Sequence, residues 1–248
     1  MVCLRRRFKI LLVVLIVVIA VFSGFVIWAE TPSSPMPQAY DSLHSDAYVV
    51  VSQGQWVVFE PKSVNFTTGF ILYPGGRVNY LAYAPYAHDI AAQGYLVVIV
   101  PMPLNLAVFG VNSANDVIAA YPNVTSWAIG GHSLGGSMAA QYIHDNPGKA
   151  DGLALWASYP PSGIDLSKSN INVVTVHGTN DGLVSSKQIV DSLEQLPPDT
   201  VRVEIEGGNH AQFGWYGAQS GDNSAAISRE QQQSITVNAT VQMLSKLS

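Results

Sequence analysis

Strand-like and helix-like segments alternate through most of this 248-residue chain, and that alternation constrains its fold more than any other feature. Apolar runs at 69–74 (GFILYP) and 95–101 (YLVVIVP) are typical of strands buried on both faces. Further strands are predicted as a pair around a turn at 53–54 and at 126–130, 152–157, 171–176 and 201–206. Helices are predicted at 82–93, 113–121, 134–145, 185–196 and 228–246. Such alternation predicts a mostly parallel sheet with helices on both faces.

The N-terminal segment predicts a membrane anchor. No charged residue occurs between Lys9 and Glu30, and about twenty helical residues span the ~30 Å hydrocarbon core of a bilayer. Basic residues precede the apolar run (RRRFK, 5–9), so the N-terminus should remain in the cytoplasm and the rest should be outside. A cleaved signal peptide is the alternative, but its apolar region is normally only about 7–15 residues. The only small-residue cleavage site, near Ala29, also follows bulky Trp28.

Composition limits the domain organisation and the partners. Residues 31–38 (TPSSPMPQ) are rich in proline and serine, which predicts a short stiff spacer. We therefore divide the chain into an anchor (1–29), a linker (30–40) and one globular domain (41–248). The exported part has 8 Lys and Arg against 17 Asp and Glu, a net charge of −9, which argues against nucleic acid or anionic lipid as the main partner. Cys3 is the only cysteine, so a thiolate metal cluster is excluded, and we expect neither metal nor cofactor.

One serine is surrounded by glycines where a predicted strand meets a predicted helix. Residues 131–135 (GHSLG) fit G-x-S-x-G, the nucleophile elbow, in its strand-turn-helix setting. The turn holds Ser133 in a strained conformation and exposes its hydroxyl, and the glycines allow the strand and helix to approach closely. An ordinary N-cap serine at a glycine-rich helix start is the alternative.

A serine nucleophile needs a base to take its proton and an acid to orient that base. Asp181 and His210 each follow the end of a predicted strand, so both should lie at the same edge of the sheet as Ser133. Asp222, in a glycine-rich loop after the histidine, is the rival acid. His132 adjoins the nucleophile and is expected to point away from it.

An oxyanion intermediate needs two preorganised N–H donors. The amide of Leu134, directly after the nucleophile, is the first candidate. The loop after the third strand (YPGGRVNY) should supply the second, and we assign it to Gly76 because glycine permits close approach to a substrate. A plain Pro-Gly-Gly turn is the alternative there.

These motifs together resemble a known family. The segments YPGGRV, GGHSLGG, LWASYP, HGTNDG and EGGNHAQFG are similar to the α/β-hydrolase superfamily, especially its small lidless branch related to dienelactone hydrolases. The resemblance implies an eight-stranded, mostly parallel sheet and an acyl-enzyme on Ser133, with Asp181 and His210 at the matching triad positions. It departs from the usual pattern at Tyr73-Pro74, where the family has His-Gly.

The expected substrate is a small-molecule carboxylic ester. Only residues 158–170 separate the sixth and seventh strands, too few for a helical cap, so the site should be shallow and favour short-acyl or soluble esters over long triacylglycerols. Arg77 is placed to bind a substrate carboxylate or to form a surface salt bridge. The same triad also serves thioesterases, amidases and acyltransferases. A non-catalytic binding protein of this fold is the other class, but such proteins usually lose a triad member, and none is missing here.

Overall fold

The computed structural model describes residues 2–62 and 65–247, with side chains from residue 9 onward. The basic cluster at 5–7 therefore lies outside the described side chains. The helices are α1 (Val2–Ala29), α2 (Pro37–Asp41), α3 (Ala84–Ala92), α4 (Ala114–Ala120), α5 (Leu134–Asp145), α6 (Ser186–Ser192) and α7 (Arg229–Leu244). The strands are β1 (Val49–Gln53), β2 (Val57–Pro61), β3 (Thr68–Tyr73), β4 (Leu96–Ile99), β5 (Ser126–His132), β6 (Gly152–Trp156), β7 (Asn172–Gly178) and β8 (Val201–Ile205).

The eight strands form one sheet in the order β1-β2-β4-β3-β5-β6-β7-β8. The pairs β1–β2 and β2–β4 are antiparallel, and every other pair is parallel. Strands β3 to β8 therefore all end at one edge of the sheet, which we call the carboxyl edge. Strand β2 runs antiparallel to β4, so β2 ends at the opposite edge. The start of β1 is paired with the end of β2 and therefore lies at that opposite edge too.

Hydrophobic cores fill both faces of the sheet. Helices α3 and α7 cover one face, where Tyr86 and Met243 are buried with Trp156 of β6. Helices α4 and α5 cover the other, where Val117 and Ile143 are buried. All residues of β3, β4 and β6 are buried, as expected for strands covered by helices on both faces.

Helix α1 stands apart from these cores. Its segment Lys9–Ala29, 21 residues with a mean hydropathy of 3.4, is long and apolar enough to cross a membrane, and of its residues only Ala29 is buried in the protein. A signal sequence has the same properties.

The proline-rich segment after α1 differs from the spacer that its composition predicts. Ser33 forms a bridge with Val78, and the Met36 amide donates to the carbonyl oxygen of Trp215 at 2.7 Å. Ala39, on α2, is completely buried. Residues 33–41 thus pack against the domain, because the backbones of Ser33 and Met36 form hydrogen bonds with neighbouring loops.

The predicted strands and long helices are all present, with ends shifted by one or two residues in most cases. Helix α6 ends early, at Ser192, and continues as a short 3₁₀ turn. Residues 103–113, for which no element was predicted, form three consecutive 3₁₀ turns beside the carboxyl edge.

Candidate active site

Ser133 lies in the tight turn between β5 and α5. Its backbone has φ 52° and ψ −123°, a combination that costs a residue with a side chain about 1–3 kcal/mol and is typical of functional sites. The turn is held by the Ser133 amide, which donates to the Trp156 carbonyl at 2.9 Å, and by the Ser158 hydroxyl, which donates to the Ser133 carbonyl at 2.7 Å. The Ser133 side chain makes no capping hydrogen bond, so it is not the ordinary N-cap of α5.

Two glycines show why this turn requires residues without side chains. A Cβ at Gly131 would lie 2.7 Å from the carbonyl carbon of Gly135, and one at Gly135 would overlap the carbonyl oxygens of Tyr73 and Pro74. Strand β5, the start of α5 and the end of β3 therefore meet backbone to backbone. This contact fixes Ser133 at the carboxyl edge, beside the loop that follows β3.

His210 and Asp181 meet at the same edge. The Nδ1 atom of His210 lies 2.8 Å from Oδ2 of Asp181, and both side chains are buried. The second carboxylate oxygen of Asp181 accepts hydrogen bonds from the amides of Leu183 at 2.8 Å and Val184 at 2.7 Å. Nε2 of His210 has no hydrogen-bond partner within the described part of the chain. The ring is thus oriented by a buried carboxylate through Nδ1, and Nε2 forms no hydrogen bond with any described residue.

Asp222, the rival acid, occupies a different position. Its carboxylate accepts from the amide of Gly182 at 2.9 Å, next to Asp181, and from the amide of Ala211 at 2.8 Å, next to His210. Asp222 therefore ties the loop that carries Asp181 to the loop that carries His210. Sequence reasoning singled out this residue but did not find this role, because the role depends on which amides the fold brings together.

A buried glutamine also supports the histidine loop. Gln232 of α7 pairs with the backbone of Asn209: its Oε1 accepts from the amide at 3.0 Å, and its Nε2 donates to the carbonyl at 2.8 Å. Gln232, Thr236 and Thr240 form a buried polar stripe at helical spacing. In the sequence this stripe is indistinguishable from a solvated face, so it gave no signal.

His132 does not point away from the site as expected. Its ring centroid lies 4.5 Å from that of His210, and its Nδ1 accepts from the Tyr83 hydroxyl at 2.9 Å. The Tyr83 oxygen in turn accepts from the amide of Gly75 at 2.9 Å. Burial lowers the pKa of His132 well below its usual value because desolvation disfavours the imidazolium, and nearby His210 acts in the same direction. A neutral His132 therefore links the base to the loop after β3.

The backbone amides of Gly76 and Leu134 are among those at this edge without a hydrogen-bond partner. Within that loop, the Gly75 amide is bound by Tyr83 and the Arg77 amide donates to the Asn105 carbonyl. Among the residues that the structure describes, the amides of Gly76 and Leu134 have no acceptor. The two residues are neighbours, since a Cβ at Gly76 would lie 3.1 Å from Cδ2 of Leu134. Gly76 thus lies beside Leu134, the residue that directly follows Ser133.

Arg77 contacts the end of α1 and does not form the surface salt bridge considered for it. Its Nε donates to the carbonyl oxygen of Trp28 and its Nη2 to that of Thr31, each at 2.8 Å, and its guanidinium carbon lies 4.3 Å from the Trp28 ring centroid. It forms no salt bridge with any described residue. The side chain is committed to the end of α1.

No helix covers the site from the loop after β6. Residues 157–171 form turns and extended segments only. Among the side chains that the structure describes, no group of three His, Cys, Asp or Glu residues could hold a metal ion.

Several solved structures have a fold similar to that of this chain. The chain resembles the crystal structure of a predicted CIB-like hydrolase from Thermoplasma acidophilum, with a TM-score of 0.60 and 16% identity over 78% of this chain and 99% of that one. It also resembles alpha/beta hydrolase domain-containing protein 10 from mouse (TM-score 0.56, 14% identity, 82% and 100% coverage). A third similar structure is the thermophilic esterase Est2 from the planctomycete Thermogutta terrifontis (TM-score 0.56, 13% identity, 79% and 92% coverage). At these identities the likeness shows the fold alone.

Comparison with curated proteins finds no match. The model of the Alpha/beta hydrolase family, in contrast, matches residues 69–234, from the start of β3 into α7. That range covers about two thirds of the chain and contains the elbow, both loops of the Asp181–His210 pair and the Gly76 turn. The chain therefore belongs to the alpha/beta hydrolase family.

Proposed function

We propose that this protein is a serine hydrolase that cleaves carboxylic esters through Ser133, His210 and Asp181. The observation that carries the proposal is the strained, uncapped Ser133 at the same edge as a histidine whose Nδ1 is bound to a buried carboxylate. Strain of this kind persists only where the surrounding structure enforces it. Family membership supports hydrolase chemistry, and one of the similar structures is described as an esterase.

In this mechanism Nε2 of His210 takes the proton of the Ser133 hydroxyl as its oxygen attacks the ester carbonyl. Asp181 keeps the remaining proton on Nδ1 and stabilises the imidazolium. The amides of Gly76 and Leu134 donate to the oxyanion of the tetrahedral intermediate, a contribution of about 10²–10³ in kcat for one such donor. His210 then protonates the leaving alkoxide, and water hydrolyses the acyl-enzyme by the same steps.

We further propose that α1 stays on the mature protein and tethers the catalytic domain to the outer face of a membrane. Its length and hydropathy support a span, and the basic residues before it support an N-terminus in the cytoplasm. The contacts of Arg77 with the end of α1 also support retention, because cleavage near Ala29 would remove Trp28, its partner in these contacts.

Labelling with a fluorophosphonate, followed by mass spectrometry of the adduct, tests the nucleophile. Wild type should be labelled on Ser133, and Ser133→Ala should lose both labelling and hydrolysis of p-nitrophenyl acetate. Ser137→Ala, one turn further along α5, is the matched control and should keep both. An adduct on another serine, or an active Ser133→Ala variant, would show that the assignment is wrong.

Membrane fractionation and N-terminal sequencing test the tether. The protein should remain with membranes after carbonate extraction and should retain residues 1–29. A mature protein that begins near Glu30 would identify α1 as a signal peptide.

A further inference from the structure

Several side chains of the domain contact the end of α1. Arg77 donates to the carbonyls of Trp28 and Thr31 and stacks on the Trp28 ring, and the Asn105 side chain donates to the Ala29 carbonyl at 3.1 Å. Ala29 is completely buried. The last carbonyls of a helix normally need such donors, and here the donors come from the loops beside the site. These contacts join the end of α1 to the loops beside the site.

Two exposed apolar side chains lie next to this junction. Val108 is 45% exposed and Phe109 is 53% exposed. The Phe109 ring lies edge-on to the ring of Phe25 of α1, with centroids 6.4 Å apart. Phe25 precedes Trp28 by three residues, which is about 4.5 Å along a helix. We call Val108, Phe109, Phe25 and Trp28 the apolar rim.

The apolar rim borders the mouth of the candidate site. Arg77, stacked on Trp28, directly follows Gly76. Leu106, two residues before Val108, comes within 3.7 Å of the position that a Cβ on Gly76 would take. The amide of Gly76, one of the two proposed oxyanion donors, therefore lies next to Arg77 and Leu106, which connect it to the apolar rim.

We propose that the apolar rim lies in the outer leaflet of the membrane, and that Ser133 acts on amphiphiles whose ester group lies at the depth of the lipid headgroups. This inference rests on the proposed tether and on the proposed hydrolase activity. The medium that surrounds Phe25 must also surround Phe109, because the two rings are in contact. If α1 spans the bilayer, Trp28 lies at its surface, as tryptophans of membrane proteins commonly do. Phe109 then enters the boundary between headgroups and acyl chains, the depth at which interfacial apolar residues are buried.

This arrangement also explains how a site without a helical cap can accept an amphiphile. A tail that stays in the leaflet does not need to be enclosed by the protein. The net charge of −9 on the exported part favours a zwitterionic or neutral surface over an anionic one.

A fluorescence experiment locates the apolar rim independently of catalysis. Full-length protein with Cys3→Ser and Phe109→Cys is labelled with an environment-sensitive NBD probe and placed in phosphatidylcholine nanodiscs that contain doxyl-labelled lipid. Tyr48→Cys is the control, since Tyr48 is 67% exposed and precedes β1 at the edge opposite the site. We expect strong quenching of the probe at position 109 and little at position 48. Equal quenching at both positions, or none at 109, would overturn the membrane contact.

Kinetics test the substrate class. The rim variant Val108→Ser/Phe109→Ser is compared with Tyr48→Ser/Val201→Ser, which removes two apolar side chains of similar exposure at the far edge. On p-nitrophenyl dodecanoate dissolved in the nanodiscs, the rim variant should lose about tenfold in kcat/KM, which is within the transfer free energy of one phenylalanine side chain. On soluble p-nitrophenyl acetate both variants should stay within about twofold of wild type, since neither changes the proposed catalytic groups.

The outcomes separate this inference from the function on which it rests. Wild type that hydrolyses neither ester would refute the proposed hydrolase, and protein that does not enter nanodiscs would refute the tether. A third outcome is that wild type enters the nanodiscs and is active while the rim variant loses activity on both esters equally. In that case Val108 and Phe109 serve only the fold, and the inference of a membrane-facing site is wrong. Selective loss on the membrane-dissolved ester, together with quenching at 109, would support it.

Discussion

The replacement Asp181→Asn tests how the acid sets the proton position on His210. One oxygen of Asp181 accepts from the amides of Leu183 and Val184, and the other faces Nδ1 of His210. Asparagine has one acceptor oxygen and one NH₂ group. The amides of Leu183 and Val184 are both donors, so they must face the asparagine oxygen and not its NH₂ group. Its NH₂ then donates to Nδ1, and the imidazole proton is forced onto Nε2.

The size of the effect follows from that tautomer. An imidazole that carries its proton on Nε2 cannot accept one from Ser133, and the imidazolium also loses its buried counter-charge. A comparable change of tautomer costs about 10⁴ in kcat, or roughly 5.4 kcal/mol of transition-state stabilisation. Stability should change little, because each hydrogen bond of the aspartate has a counterpart in the asparagine. The variant should therefore be folded and almost inactive.

Hydrolysis of p-nitrophenyl acetate and the rate of fluorophosphonate labelling measure this effect, and circular dichroism measures folding. Asp222→Asn is the matched control. Both oxygens of Asp222 accept hydrogen bonds from backbone amides. The NH₂ group of an asparagine at this position would therefore face an N–H donor in either orientation of the side chain. We expect a lower Tm and, because the two loops shift, a loss in kcat of no more than about 10²-fold.

Two results would refute the reasoning. Asp181→Asn that retains more than about a tenth of wild-type kcat would mean that the tautomer of His210 does not depend on this carboxylate. Asp222→Asn that loses more activity than Asp181→Asn, at an equal folded fraction, would mean that Asp222 is the acid.

Three further predictions concern the surroundings of the site. Gly135→Ala should lower the free energy of unfolding by about 3 kcal/mol, measured by urea denaturation, because its Cβ would overlap the Tyr73 carbonyl; an unchanged midpoint would contradict the close packing. Tyr83→Phe should cost about 2 kcal/mol and lower kcat several-fold, since it leaves the buried Gly75 amide and His132 Nδ1 unpaired; wild-type Tm and kcat would show that the link is dispensable. His132 has a lowered pKa in the folded state, so the unfolded chain binds more protons and stability should fall below pH 6.5 by up to about 1.4 kcal/mol per pH unit. His132→Gln should reduce that slope between pH 7 and pH 5, and equal slopes would contradict the assignment.

Local sequence patterns determined the architecture and the order of the candidate groups. Residue periodicity predicted the alternation of strands and helices, because burial on one or both faces leaves a pattern along the chain. The glycines around Ser133 predicted a turn with close backbone approach, and the structure shows that contact. Asp181 and His210 were expected at one edge because parallel strands end together, and the fold brings them to 2.8 Å.

Only the tertiary structure decided how those groups are supported. Asp222 reaches the amide of Gly182 across 40 residues, and Tyr83 reaches His132 across 49. Arg77 donates to the carbonyl oxygen of Trp28, 49 residues away, at the end of α1. A side chain in such a contact satisfies a partner that no local pattern specifies. The residue type determines whether the side chain can donate or accept a hydrogen bond. The packing of distant loops determines which atom becomes its partner.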